Sequence, residues 1–216
     1  MDLPTIEQLQ SLIPLLPKKK PVHKLKWKLP EQRFSMPIED AEARVGQLEK
    51  LKFKFVSGGE FMDVVHSKPY GEGVFAYFIV RTEKKTEDEH VLFDGYMIQE
   101  EEPLGLNLAS SFSFMEDLEQ LGYKQSLQRA VTEWRFLALP VKIAVFDVEG
   151  FGRFMEFALP ATNFEDERKR QEKKLEDLFK KFGFKKEEAL PTDVITLQWL
   201  SQQQEAAGAQ GPDGPQ

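Results

Sequence analysis

Cysteine is absent from this 216-residue chain, which excludes disulfides, cysteine-ligated zinc and a thiol nucleophile together. Histidine is scarce, and His23, His66 and His90 are too scattered to suggest a histidine-rich metal site. Three Trp and four Tyr stand against 18 Phe, so the large apolar side chains are mostly ones that pack without a hydrogen-bond partner. No uninterrupted apolar run approaches the roughly 18 residues that span a bilayer, and no membrane partner is expected. Positive charge is in deficit. The formal net charge of −7 argues against a generic binder of nucleic acid or anionic membrane, although a local basic patch can override it. Lys18, Lys19 and Lys20 follow the short N-terminal apolar stretch, the reverse of signal-peptide order, and a cytoplasmic location is the expectation.

What is present fits a folded chain with 41% hydrophobic and 30% charged residues. Its length favours one domain, with three expected regions: an N-terminal segment 1–21, a folded domain 22–203 and a disordered Gly/Pro/Gln-rich tail 204–216. Within residues 3–16, Ile6, Leu9, Leu12 and Ile13 have helical spacing, which predicts a short amphipathic helix that packs on the domain or docks a protein partner. VHKLKWKLP (22–30) alternates as a strand, and Ser35-Met36-Pro37 is expected to open a helix over 38–49. Strands are expected at 51–56, 60–66, 74–81 and 90–99, with Gly58-Gly59 read as a turn. Ser113–Glu116 resembles a capping box for a short helix that stops at Gly122. Further strands are expected at 127–137, 141–149 and 152–160. A helix capped at Thr162–Glu165 and ending at Gly183 should follow, and then a last helix at 191–203. Many consecutive strands with few intervening helices predict an α+β fold on an antiparallel sheet that closes into a barrel or tunnel, with flanking helices.

The sharpest feature is the first strand. Side chains alternate across a strand, so Lys24, Lys26 and Lys28 share one face and Leu25, Trp27 and Leu29 the other. An isolated strand of this kind is usually half buried with a solvated lysine face. In a closed sheet the lysines could instead face inward, where they would need acids or an anionic ligand. Arg129, Glu133 and Arg135 alternate along a later strand, Arg81 ends another, and Asp147 and Glu156 lie on two more. Arginine and lysine are the natural partners of phosphate oxygens. Together these are suggestive; with the family resemblance that follows, the expected anion site is Lys24, Lys26, Lys28, Arg81 and Arg135, and that resemblance alone makes Asp147 and Glu156 metal candidates, the catalytic residues staying unassigned.

The order of elements, together with GYKQSLQRAVTEWRF, VFDVEGFGRFMEF and EALPTDVITLQWL, resembles the CYTH proteins. This is the triphosphate tunnel superfamily, which includes class IV adenylyl cyclases and thiamine triphosphatases. The resemblance covers roughly residues 22–202. Its best stretch is Asp147 to Glu156, while Asp63–Pro69 falls where the family carries a DTYFDTP-like segment. It implies a tunnel that binds a triphosphate with a divalent metal held by acids of an opening E-x-E-x-K motif. Lys24, Lys26 and Lys28 stand at the matching positions, Asp94 replaces an expected lysine, Glu133 replaces a basic neighbour of Arg135, and Ala158 replaces an acid beside Glu156.

Ammonium groups cannot coordinate Mg²⁺ or Mn²⁺, and metal-assisted phosphoryl chemistry depends on that coordination. The first expectation is a tunnel-like domain without catalysis or cofactor. It would bind a phosphorylated small molecule or inorganic polyphosphate, or a protein through residues 3–16, and not nucleic acid. The second is an active triphosphate hydrolase or cyclase that uses Mg²⁺ or Mn²⁺ in a rearranged site drawn from Asp94, Glu133, Asp147 and Glu156. The third is a structural subunit of a larger assembly.

Overall fold

The computed structural model describes residues 5–11, 26–28, 31–69, 75–86, 89–92, 97–99, 119–120, 122–160, 162 and 164–209. In chain order its labelled elements are α1 (Ile6–Ser11), β1 (Lys26–Lys28), β2 (Glu31–Pro37), α2 (Ala41–Lys50), β3 (Lys54–Pro69), β4 (Phe75–Glu83), β5 (Glu89–Leu92), β6 (Met97–Gln99), β7 (Lys124–Ala138), β8 (Val141–Val148), β9 (Gly152–Pro160), α3 (Glu165–Phe182) and α4 (Val194–Ala209). Two units divide them. One comprises residues 1–15, 31–59 and 131–216, the other residues 16–30 and 60–130. The Ser113–Glu116 capping box lies outside the described residues.

In the first unit the strand order is β2, β9, β8, β7, β3, and β2–β9, β9–β8 and β8–β7 pair antiparallel. Register fixes the two faces. Phe34, Met36, Phe136, Val141, Ile143, Val145, Met155, Phe157 and Leu159 share one side with the buried faces of α2 and α3 and build the core. Phe157 is the hub, with ring contacts to Phe179 at 5.0 Å, Phe182 at 6.2 Å and Phe184 at 6.1 Å. Truncating such a ring typically costs about 3–5 kcal/mol, because the cavity left behind adds to the lost transfer energy. In α1, Leu9 is buried while Glu7, Gln8 and Ser11 are exposed.

In the second unit β3, β4 and β5 pair antiparallel in that order, with β7 beside β3, and β1 pairs with β6 in a separate two-stranded sheet. Antiparallel sheet and flanking helices make the fold α+β, as the strand-rich pattern predicts.

Three local expectations are corrected. Ser35-Met36-Pro37 does not open a helix: Glu31–Pro37 is a strand, and Asp40 caps α2 by accepting the Ala43 N–H at 2.9 Å. Partly buried Phe34 and buried Met36 share the core face, while Arg33 and Ser35 take the other, the period of two expected of a strand. Gly58-Gly59 is not a turn, since both glycines lie inside the continuous β3. A Cβ at Gly58 would stand 3.0 Å from the Glu133 carbonyl oxygen and 3.2 Å from the Trp134 ring, so glycine permits close strand approach there. Finally, α4 runs to Ala209 rather than stopping at 203, because Gln, Glu and Ala sustain a helix until the Gly/Pro-rich stretch. Gly183, with φ +74°, ends α3 where expected.

Candidate functional site

Asp63, on β3, is the centre of a buried charge cluster in the second unit. It lies opposite Arg81 of β4 in the ladder. Arg81 Nε donates to Oδ1 at 2.6 Å and Nη2 donates to Oδ2 at 2.9 Å, the bidentate fork in which guanidinium matches carboxylate. Arg129, on β7, reaches the same carboxylate: its Nε and Nη2 both donate to Oδ2 at 3.1 Å. Asp63 is 0%, Arg129 4% and Arg81 5% exposed. Phe61 covers the Arg81 guanidinium, with its ring centroid 4.4 Å from Cζ, and adds a cation–π contact. Within this group two guanidinium charges share one carboxylate. Arg129 Nη1 is buried and has no hydrogen-bond partner among the described residues. A buried donor left without an acceptor costs roughly 1–3 kcal/mol, so this N–H is a standing demand for an oxygen.

On the first unit's sheet, the face turned away from α2 and α3 carries Arg33, Ser35, Glu133, Arg135, Lys142 and Glu156, separated by Ala144 and Ala158. The acids are engaged. Glu156 is buried, accepts the Val194 N–H at 3.2 Å where α4 begins, and lies 3.4 Å from Arg33 Nη1. A carboxylate at a helix N-terminus meets both free N–H groups and the positive end of the dipole. Glu133, also buried, pairs with Arg135 two residues along the same strand face. Ser35 Oγ donates to the Thr192 carbonyl at 2.8 Å, tying β2 to the segment before α4. Asp147 lies on the other face of the sheet, bonded by Arg153 Nε at 2.8 Å, while Arg153 Nη1 donates to the Glu39 carbonyl at 3.0 Å. That hydrogen bond, with the charge of Asp147 behind it, raises the Arg153 pKa above its ordinary value.

His66 is another buried titratable group in the second unit. Its ring stacks on Phe78 with centroids 5.1 Å apart, and neither ring nitrogen has a hydrogen-bond partner among the described residues. Burial lowers its pKa below the usual histidine range, opposed only by the charge of Glu119.

No protein-family profile matches the sequence, and no curated protein does. Solved structures do match. One is a candidate adenylate cyclase of Vibrio parahaemolyticus, 14% identical over 78% of this chain and 97% of that one, with a TM-score of 0.55. A conserved hypothetical protein of Pyrococcus furiosus is 16% identical over 77% of this chain and 99% of its own, with a TM-score of 0.54. A Pyrococcus horikoshii protein is 20% identical over 77% and 98%, with a TM-score of 0.53. The chain has the CYTH, or triphosphate tunnel, fold. At these identities the likeness is one of fold.

The CYTH fold implies a divalent metal, and the side chains can be tested for it. Asp147 and Glu156 sit three ladder positions apart on opposite faces of the sheet, so they do not converge on one ion. Glu156 and Glu133 already face guanidinium groups. Among the described residues no group of three His, Asp or Glu side chains could hold a metal ion. These residues do not fit Mg²⁺ or Mn²⁺, which require a convergent set of oxygens.

The strand that runs into the first helix of the sheet is β2, with Arg33, rather than the one bearing the lysines. Lys24 and Asp94 lie outside the described residues, and Lys26 and Lys28 occupy β1, opposite Gln99 and Met97 of β6. Arg81 sits in the Asp63 cluster and Arg135 beside Glu133. Asp63 and Arg129 were not among the expected binding residues. The alternation of Arg129 with Glu133 and Arg135, and the DTYFDTP-like placement of Asp63–Pro69, were the sequence signals that touched them.

Proposed function

We propose that this chain is a CYTH-like domain that binds a phosphorylated small molecule or inorganic polyphosphate as an anion, without metal-dependent catalysis. The observation that carries the reading is the shared carboxylate of Asp63: two buried guanidinium groups, with one N–H of Arg129 lacking an acceptor. A phosphate oxygen is the acceptor that this N–H lacks among the described residues, and guanidinium groups are natural partners of phosphate. The engaged state of Glu133 and Glu156 supports the second half of the reading, since a carboxylate already paired with arginine is a poor ligand for a divalent ion.

Phosphate release from ATP and tripolyphosphate, with Mg²⁺ or Mn²⁺ present, tests the absence of catalysis. The expectation is release at the rate of a protein-free control. Metal-dependent phosphate release that disappears in Glu156→Ala would instead establish the alternative of an organic triphosphate hydrolase, and metal-dependent formation of cyclic AMP and pyrophosphate from ATP that of an adenylyl cyclase. The fold shared with the candidate adenylate cyclase of Vibrio parahaemolyticus is what favours that alternative.

A further inference from the structure

A second surface is independent of the anion reading. β7 lies on one side of Lys54–Gly59, and on the other side the β3–β4 ladder runs only from Phe61 to Pro69, so among the described residues no strand is paired there with Lys54–Gly59. Every residue from Lys54 to Gly58 is exposed. Phe55 at 51% and Val56 at 57% are unusually open for large apolar side chains. Sheet edges are normally blunted by proline, charge or a bulge, because unpaired N–H and C=O groups invite another strand. Phe55-Val56-Ser57-Gly58-Gly59 carries neither charge nor proline.

The surroundings are basic although the chain as a whole is acidic. Lys50, Lys52 and Lys54 are all exposed, and Glu49 is the one acid between Leu48 and Gly59. Phe53 packs against Phe182 at 6.1 Å, and Lys181 Nζ stands 5.4 Å above the Phe53 ring, which brings the end of α3 to this strand. Lys180 and Lys181, both exposed, add two more cations there.

We infer that the Lys54–Gly58 end of β3 is a docking edge for an extended acidic peptide of a partner protein, which joins the sheet as an added strand. Backbone hydrogen bonds would supply affinity, as in other strand-addition interfaces, and alternate side chains would supply selectivity. Apolar residues of the peptide would lie on the Phe55 side and acidic ones beside Lys54, with Lys52 adding to the attraction.

The test uses fluorescence anisotropy with the full chain and a labelled short peptide alternating glutamate and valine. Binding is expected, weakened about tenfold by the exposed double change Lys52→Glu and Lys54→Glu. N-methylation of alternate peptide amides on the edge-facing side, which leaves the side chains in place, should abolish binding. Equal affinity of the methylated peptide, indifference to the lysine reversals, or no binding of the parent peptide at saturating concentration would each overturn the proposal. Vesicles of phosphatidylserine serve as the competing probe. Lysine-dependent vesicle binding without peptide binding would replace strand addition with a membrane contact.

Discussion

The two units handle buried charge differently. On the sheet of the first, each buried carboxylate has its own cation: Glu133 has Arg135, and Glu156 has Arg33 together with the first N–H of α4. In the second, Asp63 is divided between Arg81 and Arg129. Pairing of the first kind is a neutral arrangement that joins elements of the fold. Sharing of the second kind leaves the buried Arg129 Nη1 without an acceptor among the described residues, which is costly unless an oxygen joins it. The contrast is what the proposed anion binding rests on: an acceptor is wanting in the second unit, and the buried acids of the first unit's sheet face cations.

Substitutions can break this contrast in order of severity. Asp63→Ala should have the largest effect, a loss of about 3–5 kcal/mol in chemical denaturation, because it removes the buried carboxylate that two buried guanidinium groups share. Arg129→Gln should be milder for stability yet weaken tripolyphosphate binding by at least about tenfold, the loss of one charge-assisted contact. Glu156→Gln should cost about 1–3 kcal/mol, through the Arg33 pair and the helix terminus, and leave tripolyphosphate affinity unchanged. A binding defect in Glu156→Gln as large as that of Arg129→Gln would erase the distinction between the units.

A titration sharpens the contrast further. The folded pKa of His66 lies below its unfolded value, so its neutral form is the one the fold prefers. Its contribution is present above the unfolded pKa near 6.5 and is lost as pH falls toward the lowered folded value. Denaturation midpoints should therefore drop as the solution is acidified through that range, and His66→Phe should flatten that part of the profile. The smallest effect belongs to the exposed Asp147–Arg153 pair: Asp147→Asn should leave the denaturation midpoint within experimental error.

Strands β7, β8 and β9 were legible in the sequence because their side chains alternate over eight or more residues between clear turn signals. β2 was not, because Pro30, Ser35 and Pro37 look like punctuation, and only pairing with β9 shows that Pro37 closes a strand. The glycines of β3 read as a turn, when in fact both lie inside the strand and Gly58 admits a neighbouring backbone. The Asp63 cluster was less legible still. Its arginines lie 18 and 66 residues from the carboxylate, and no local pattern announces an encounter that strand register creates. Arg81 and Arg135 were visible as isolated cations, whereas their present partners are properties of the folded sheet.

Isothermal titration calorimetry of tripolyphosphate, performed in EDTA and again in excess Mg²⁺, tests the central claim most directly. Saturable binding in EDTA that is lost in Arg129→Gln is the predicted result. Binding that requires Mg²⁺, or that is indifferent to Arg129, would contradict it.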